Sequence, residues 1–422
     1  MQMETAADKK PTNNKLSLAA SLKRKAGSLA SRVFKMIFKF SGKLPVKKDV
    51  VIFESFLGKQ YSCNPRAIYE YLKENHPEYN MIWSVDKRYS KEFDERGIPY
   101  YRRLSLKWML NVPRAAVWVS NSRMPLWIPK PEHTVYLQTW HGTPLKKLAA
   151  DMKEVHMPGT ETDKYKKNFI AEASKWDNLI SPNPYSTEIF SRAFQVPQEK
   201  IIESGYPRND ILYKGNTPEK IQEIKNRIGI PAGKKVILYA PTWRDDQFYS
   251  IGRYKFDLQL DLNQMKQELG DEYVVLLRLH YLIAEDLDLS PYEGFAYNLS
   301  KHGDINELYL ISDLLVTDYS SVFFDFANLN RPMLFYVYDI DSYRDKLRGF
   351  YFDFESQSPG PLVKTTGELI QAIRGVEARG FEPDPFMEEF YNRFCSLEDG
   401  NASQRVVEKV FAPSKRESRM RG

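Results

Sequence analysis

Thr134-Val135-Tyr136-Leu137-Gln138-Thr139-Trp140-His141-Gly142-Thr143-Pro144 is a short apolar run that gives way abruptly to a histidine, a glycine and a proline. Thr134 to Thr139 has the length and residue types of a strand buried on both faces. Gly142-Thr143-Pro144 reads as the opening of a helix, so the His141 imidazole is expected to project from a strand end beside a helix N-terminus. A general base is well placed there beside a bound phosphate. A lone histidine is more often a satisfied structural residue, and the weight given to His141 depends on its surroundings.

Outward from this stretch the same alternation repeats. Val50 to Phe53, Met81 to Val85, Ala115 to Ser120, Asn178 to Ser181 and Lys200 to Glu203 read as strands, with helical patterns around 65–75, 104–112, 163–174 and 185–194. A second series has strands at Lys235 to Ala240, Tyr273 to Leu279, Asp313 to Thr317 and Pro332 to Val337. Strands alternating with helices imply parallel sheets covered on both faces. The expected fold is α/β, with two Rossmann-like doubly wound units over residues 49–217 and 218–384. Closing helices follow over 385–412, then a basic tail over 413–422. Ligands of such folds bind beyond the carboxyl ends of the strands.

Charge divides the chain differently. Residues 1–48 carry twelve Lys/Arg against Glu4 and Asp8, a local +10; the whole chain is +6, which leaves −4 on the other 374 residues. Positive charge confined to one arm excludes a general nucleic-acid binder, which spreads it over a folded surface. Within the arm, Leu18, Leu22, Ala26, Leu29, Val33, Met36, Ile37 and Phe40 fall at helical spacing among lysines and arginines. No apolar run reaches the roughly 18 residues of a spanning helix, and no signal-peptide pattern is present. Such a basic amphipathic helix suits an anionic membrane surface, through residues 16–40. Packing on the body of the protein is the alternative. The two cysteines, Cys63 and Cys395, lack metal-ligand spacing and indicate a reducing compartment.

Further motifs also sit just after strands. His280 ends the strand in Arg278-Leu279-His280, placing a second histidine where it can converge with His141. Thr317-Asp318-Tyr319-Ser320-Ser321 precedes a helical run from Val322 to Asn328 and reads as an anion cradle, although Asp318 or Ser320 could equally cap that helix. Pro241-Thr242-Trp243-Arg244 brings a guanidinium to a strand end. In Ser204-Gly205-Tyr206-Pro207-Arg208-Asn209-Asp210 the Gly and Pro mark a tight turn near the cleft, with Arg208 and Asp210 read as structural. His76, His133, His156 and His302 are read as surface or packing residues. A Walker loop, a dinucleotide fingerprint, a nucleophile elbow and a zinc motif are all missing, and no carboxylate cluster suggests a catalytic metal.

Phe53-Glu54-Ser55-Phe56-Leu57-Gly58-Lys59, Gln138 to Lys146, Ser204 to Asp210, Tyr239 to Arg244 and Thr317 to Asp325 together resemble the CDP-glycerol glycerophosphotransferase family of teichoic acid synthesis, in order, from about residue 49 to about 395. The resemblance implies a GT-B-like arrangement, with an acceptor unit followed by a CDP-alditol unit. It implies catalytic roles for His141 and His280, and donor-phosphate binding by Thr317, Ser320 and Ser321; Arg244, Arg278 and Asp318, also at strand ends, are expected on the donor side with them. Gly142, Thr143, Lys146 and Arg208 are placed on the acceptor side or in the cleft. The partners implied are CDP-glycerol as donor substrate, with no cofactor or metal, and an undecaprenyl-diphosphate-linked teichoic acid acceptor. The setting implied is the cytoplasmic face of the cell membrane, with an oligomer compatible with it. Only 48 residues precede the first motif, so a primase and a polymerase both fit. The competing readings are a CDP-ribitol transferase of the same family, a nucleotide-sugar glycosyltransferase on the same architecture, and an inactive membrane scaffold.

Overall fold

The structure is a computed structural model that describes residues 32–155, 160–242, 248–250, 253–254, 258–279, 287–340 and 349–411. Seven strands build the first unit: β1 (Lys47–Glu54), β2 (Asn80–Val85), β3 (Tyr100–Arg102), β4 (Ala115–Ser120), β5 (Val135–Gln138), β6 (Asn178–Ser181) and β7 (Ile201–Glu203). They lie in the order β3-β2-β1-β4-β5-β6-β7, every neighbouring pair parallel. The second unit begins with β8 (Lys235–Ala240) and a small antiparallel pair, β9 (Phe248–Ser250) and β10 (Arg253–Tyr254). It continues with β11 (Tyr273–Leu277), β12 (Ala296–Asn298), β13 (Leu314–Thr317), β14 (Met333–Tyr336) and β15 (Leu362–Val363). Its parallel sheet runs β12-β11-β8-β13-β14-β15. Both sheets are doubly wound and together form the GT-B-like pair. The edge strands β3, β12 and β15 have only two or three residues, too few to show a periodic pattern in sequence.

Continuous burial explains the strands: all six residues of β4 are inaccessible to solvent. Apolar helices cover each face. Val51, Phe53, Trp83 and Leu72 fill one side of the first sheet, and Trp118, Tyr136, Trp176 and Phe190 the other. Strand order reverses direction between β1 and β4, and again between β8 and β13, and the crevices at these two switch points are where such folds bind ligands.

Three findings depart from the periodicity reading or go beyond it. Residues 142–148 form no helix; a single 3-10 turn, Ala149–Asp151, follows. Pro144 biases Thr143 toward extended backbone, and the chain beyond it pairs with the second unit instead. Lys147 N donates to Gly349 O at 2.9 Å and Tyr351 N to Leu145 O at 2.8 Å. Secondly, the closing helices of 385–412 divide between the two units. The helix Met387–Phe394 packs in the second unit beside Phe323 and Phe324, whereas Ala402–Phe411 returns to the first, where Val406, Val407 and Val410 join Val51 and Ile68.

Thirdly, residues 32–41 are helical and pack on the first unit. Phe38 is fully buried, its ring 5.5 Å from that of Trp108 and 6.0 Å from that of Trp118, and Phe34 meets Trp127 at 6.1 Å. Val33, Met36 and Phe40 stay exposed on another side of the same helix. Packing on the body and an exposed apolar stripe therefore coexist in this segment. The arm before residue 32 and the tail from residue 412 lie outside the described residues.

Candidate active site

His141 stands just beyond the carboxyl end of β5, as its sequence position requires. The backbone before it is held in an unfavourable shape: Trp140 has φ 51°, a left-handed conformation that costs roughly 1–2 kcal/mol for a residue with a Cβ. Two side chains sustain it. Gln138 Oε1 accepts from Trp140 N at 2.9 Å, and Asn64 Nδ2 donates to the carbonyls of Thr139 and Trp140 at 3.1 and 3.2 Å. The imidazole is stacked on Trp140, with ring centroids 4.7 Å apart, and meets the edge of Phe56 at 5.6 Å.

Nδ1 of His141 lies 2.9 Å from the carbonyl oxygen of Asn121, at the end of β4. A carbonyl only accepts, so Nδ1 carries the proton and Nε2 the lone pair in the neutral ring. The residue keeps solvent access while protein crowds the ring. Lost hydration favours the neutral form and, with the Arg208 charge, outweighs the Asn121 carbonyl in lowering the pKa to about 4. The result is a neutral, oriented imidazole with its basic nitrogen free, the state a general base needs.

The second unit meets this motif directly. A Cβ built on Gly142 would lie 2.9 Å from Ser321 Oγ, so this glycine permits the close approach of the two loops. Ser320 and Ser321 are half-buried, and among the described residues neither hydroxyl makes a hydrogen bond. Thr317 and Asp318 are more fully occupied. Thr317 Oγ1 donates to Ala240 O at 2.7 Å, and Asp318 Oδ1 accepts from Thr242 N at 2.7 Å, so they tie the β8 and β13 loops together. The helix behind Ser321 is only Val322–Phe326, followed by the 3-10 turn Ala327–Leu329. It is shorter than the helical run expected from sequence, and its dipole is correspondingly small.

Other expected site residues have structural duties. Arg208 is buried, and its Nη2 reaches both oxygens of Asp325 at 2.9 and 2.8 Å, a bridge from the first unit to the second. Arg278 Nη1 lies within hydrogen-bond reach of the carbonyl oxygens of Leu299, Ser300 and His302, clamping the turn after β12. Thr143 is buried, and Lys146 sits in the bridge opposite Phe350. Arg244 and His280 lie outside the described residues, as does His156. The other histidines have local partners: His76 with Glu78, His133 with the Pro113 carbonyl and His302 with Glu307. Among the described residues no group of three or more His, Cys, Asp or Glu side chains gathers where a metal could bind.

The sequence reading passed over Asn121, Phe56 and Asn64, which orient and wall in His141. Asn121 and Phe56 could have been found by the same strand-end rule that selected His141, because they follow β4 and β1.

Two Rossmann-like units that meet over an oriented base and free hydroxyls define a transferase-type cleft. The model of the CDP-Glycerol:Poly(glycerophosphate) glycerophosphotransferase family matches residues 36–412, and the chain belongs to this family of CDP-glycerol-dependent phosphotransferases. It is 66% identical over 383 residues to the teichoic acid poly(glycerol phosphate) polymerase of Bacillus subtilis strain 168, covering 91% of this chain but 51% of that protein. The polymerase of the same description from Bacillus spizizenii W23 is 57% identical, over 91% of this chain and 97% of the relative. The chain thus spans about half the length of the first relative and nearly all of the second. Among solved structures, a variant of the wall teichoic acid polymerase TagF soaked with CDPG superposes with a TM-score of 0.84 at 41% identity, over 97% of this chain and all of that one.

Proposed function

We propose that this chain transfers glycerol phosphate from CDP-glycerol to a hydroxyl of a lipid-linked teichoic acid precursor, releasing CMP. The observation that carries the reading is His141: a neutral imidazole fixed through Nδ1, with the lone pair on Nε2, next to Gly142, which closely approaches Ser321 of the second unit. In this mechanism Nε2 takes the proton of the acceptor hydroxyl as its oxygen attacks the donor's β-phosphorus, and the bond to CMP breaks in line. Ser320 and Ser321 hydrogen-bond the donor's phosphate oxygens. His280, which the resemblance makes essential, and Arg244 are assigned here to the charge that develops on the transferred group. Both relatives are named for glycerol phosphate, which favours CDP-glycerol over CDP-ribitol.

CMP release with CDP-glycerol and a short lipid-linked acceptor tests this. His141→Ala is expected to lower turnover by about 10²–10⁴ without altering the fold. The lowered His141 pKa keeps the base neutral as the pH falls, so kcat/KM should hold well below pH 6.5. Retained turnover in His141→Ala, or UDP or GDP as the released nucleotide, would remove the proposal.

We place the protein at the cytoplasmic membrane face as a peripheral protein. No helix of the described residues is long and apolar enough to cross a membrane. Among the described residues every large exposed apolar side chain but Leu57 belongs to one region: Val33, Met36 (62%) and Phe40 (66%) with Leu106 (63%), Leu110 and Leu126. The Phe38–Trp108 and Phe34–Trp127 contacts bind these elements together, and Arg32, Lys35 and Lys39 lie alongside. Met36→Ser with Phe40→Ser should weaken sedimentation with anionic vesicles while leaving stability unchanged; undiminished sedimentation would count against this surface.

A further inference from the structure

A cavity of about 400 Å³ opens on the first unit between the loop after β4 and the helix Thr162–Ala173, lined by Arg123, Met124 and Leu126 from the loop and Lys164, Tyr165 and Asn168 from the helix. Its volume lies within the range of small-molecule sites. Arg123 gives it its character. The guanidinium lies over the Phe169 ring at 4.3 Å and near that of Tyr165 at 5.5 Å, a stacking that fixes its plane. Yet this half-buried cation makes no hydrogen bond and no ion pair among the described residues. The Lys164 ammonium, the Tyr165 hydroxyl and the Asn168 amide are likewise without hydrogen bonds.

The loop carrying Arg123 is rigidly built. Glu172 Oε1 accepts from Met124 N at 3.0 Å, Lys175 Nζ donates to the carbonyls of Leu126 and Ile128, and Gln138 Nε2 donates to Ser122 O. Two carboxylates border the cavity. Glu161 is exposed on the rim, and Glu172 is buried and takes further hydrogen bonds from Tyr136 Oη and Trp176 Nε1. Burial raises the Glu172 pKa to about 7, which reduces its negative charge toward an anion in the cavity.

Position adds a second argument. Asn121, whose carbonyl orients His141, begins the same loop, and Phe169, under Arg123, packs against Trp140, under His141, at 6.1 Å. On the other side Leu126 is exposed, and its neighbour Trp127 touches the helix of residues 32–41. The cavity therefore lies between the apolar surface and the base.

We infer that this cavity is a phosphate-ester subsite for the lipid-linked acceptor. Arg123 forms a fork of charge-assisted hydrogen bonds to a phosphate of the acceptor, assisted by Lys164, Tyr165 and Asn168, and so sets which hydroxyl reaches His141. The inference rests on the function proposed above and adds where the acceptor is held.

Arg123→Gln and Arg123→Lys, assayed in the full chain with a short lipid-linked acceptor and CDP-glycerol, test it. Losing charged hydrogen bonds to one phosphate should raise the acceptor KM in Arg123→Gln by roughly tenfold or more. The donor KM should move by less than twofold, and Arg123→Lys should recover part of the loss. An unchanged acceptor KM, or a donor KM that rises in parallel, overturns the inference. Sedimentation with phosphatidylglycerol vesicles separates a lipid headgroup from the acceptor: equal binding by wild type and Arg123→Gln is expected. A loss of vesicle binding without a change in acceptor KM overturns the acceptor assignment. If the wild type releases no CMP at all, the proposed function falls, while 31P NMR titration with glycerol 3-phosphate still reads the cavity alone. Binding by the wild type that weakens in Arg123→Gln then supports an anion site, and equal binding by both removes it.

Discussion

Two arginines of the first unit stack on aromatic rings at nearly the same distance, Arg208 over Tyr206 at 4.5 Å and Arg123 over Phe169 at 4.3 Å. Their polar surroundings are opposite. Arg208 is buried between the units against Asp325, with Asn209 Nδ2 also donating to Asp325 Oδ1, and Asn64 Oδ1 accepts from Arg208 N. Arg123 has rings beneath it and open space before it. A cation removed from water requires a compensating anion, and Arg123, with no hydrogen bond or ion pair among the described residues, is the one proposed to receive a ligand. The turn around Arg208 acts as the joint of the molecule. It also holds Asp210, which caps the returning helix by accepting from Ala402 N and Ser403 N. The loops around Arg123 and His141 carry the proposed acceptor subsite and the proposed base.

The largest expected effect probes the joint. Asp325→Ala strands the Arg208 guanidinium and should cost about 3–5 kcal/mol of stability, measured by urea or thermal unfolding. Arg123→Gln should stay within about 0.5 kcal/mol of wild type in the same assay. Equal losses in the two variants would erase the distinction.

A smaller effect concerns the point where the loop after β5 meets the loop after β13. Gly142→Ala sets a methyl against Ser321 and should reduce kcat/KM by about tenfold or more, since misplacement near 1 Å can cost about a hundredfold. Stability should change little, because Ser321 is half-exposed and can shift. An unaltered kcat/KM would mean that the spacing of these loops does not matter.

The smallest effect is pH-dependent and belongs to the joint again. Glu398 is buried, accepting from Tyr206 N and Asn209 Nδ2 through Oε1, and burial raises its pKa to about 8. A carboxyl whose folded pKa lies above its unfolded value holds its proton more tightly in the fold. Its contribution to stability is therefore full below about pH 4.5 and declines as the pH rises toward 8. Glu398→Gln should flatten that part of the stability profile. An identical slope in wild type and variant would contradict the assignment.

Much of this was legible beforehand because buried parallel strands are written as nearly continuous apolar runs. Ala115 to Ser120 and Lys235 to Ala240 match β4 and β8 at both ends. The helix expected after His141 was misread because Gly-Thr-Pro suits a helix start and an extended segment equally well. What decided between them was a partner, Gly349 to Tyr351, some two hundred residues away. The destination of the last helix was hidden for the same reason: Val406, Val407 and Val410 announce an apolar face without saying which unit accepts it.

From its residues alone the chain shows two doubly wound units, a basic amphipathic arm and a histidine at a strand end, because periodicity, charge and strand-to-loop junctions are local properties. Tertiary structure alone assigns the duties of like residues. It turns His141 by the carbonyl of Asn121, sets Gly142 against Ser321, gives Arg208 a carboxylate and leaves Arg123 without one among the described residues. Hydrogen bonding and desolvation depend on neighbours brought together by folding, and a side chain's type does not reveal which neighbours it will have.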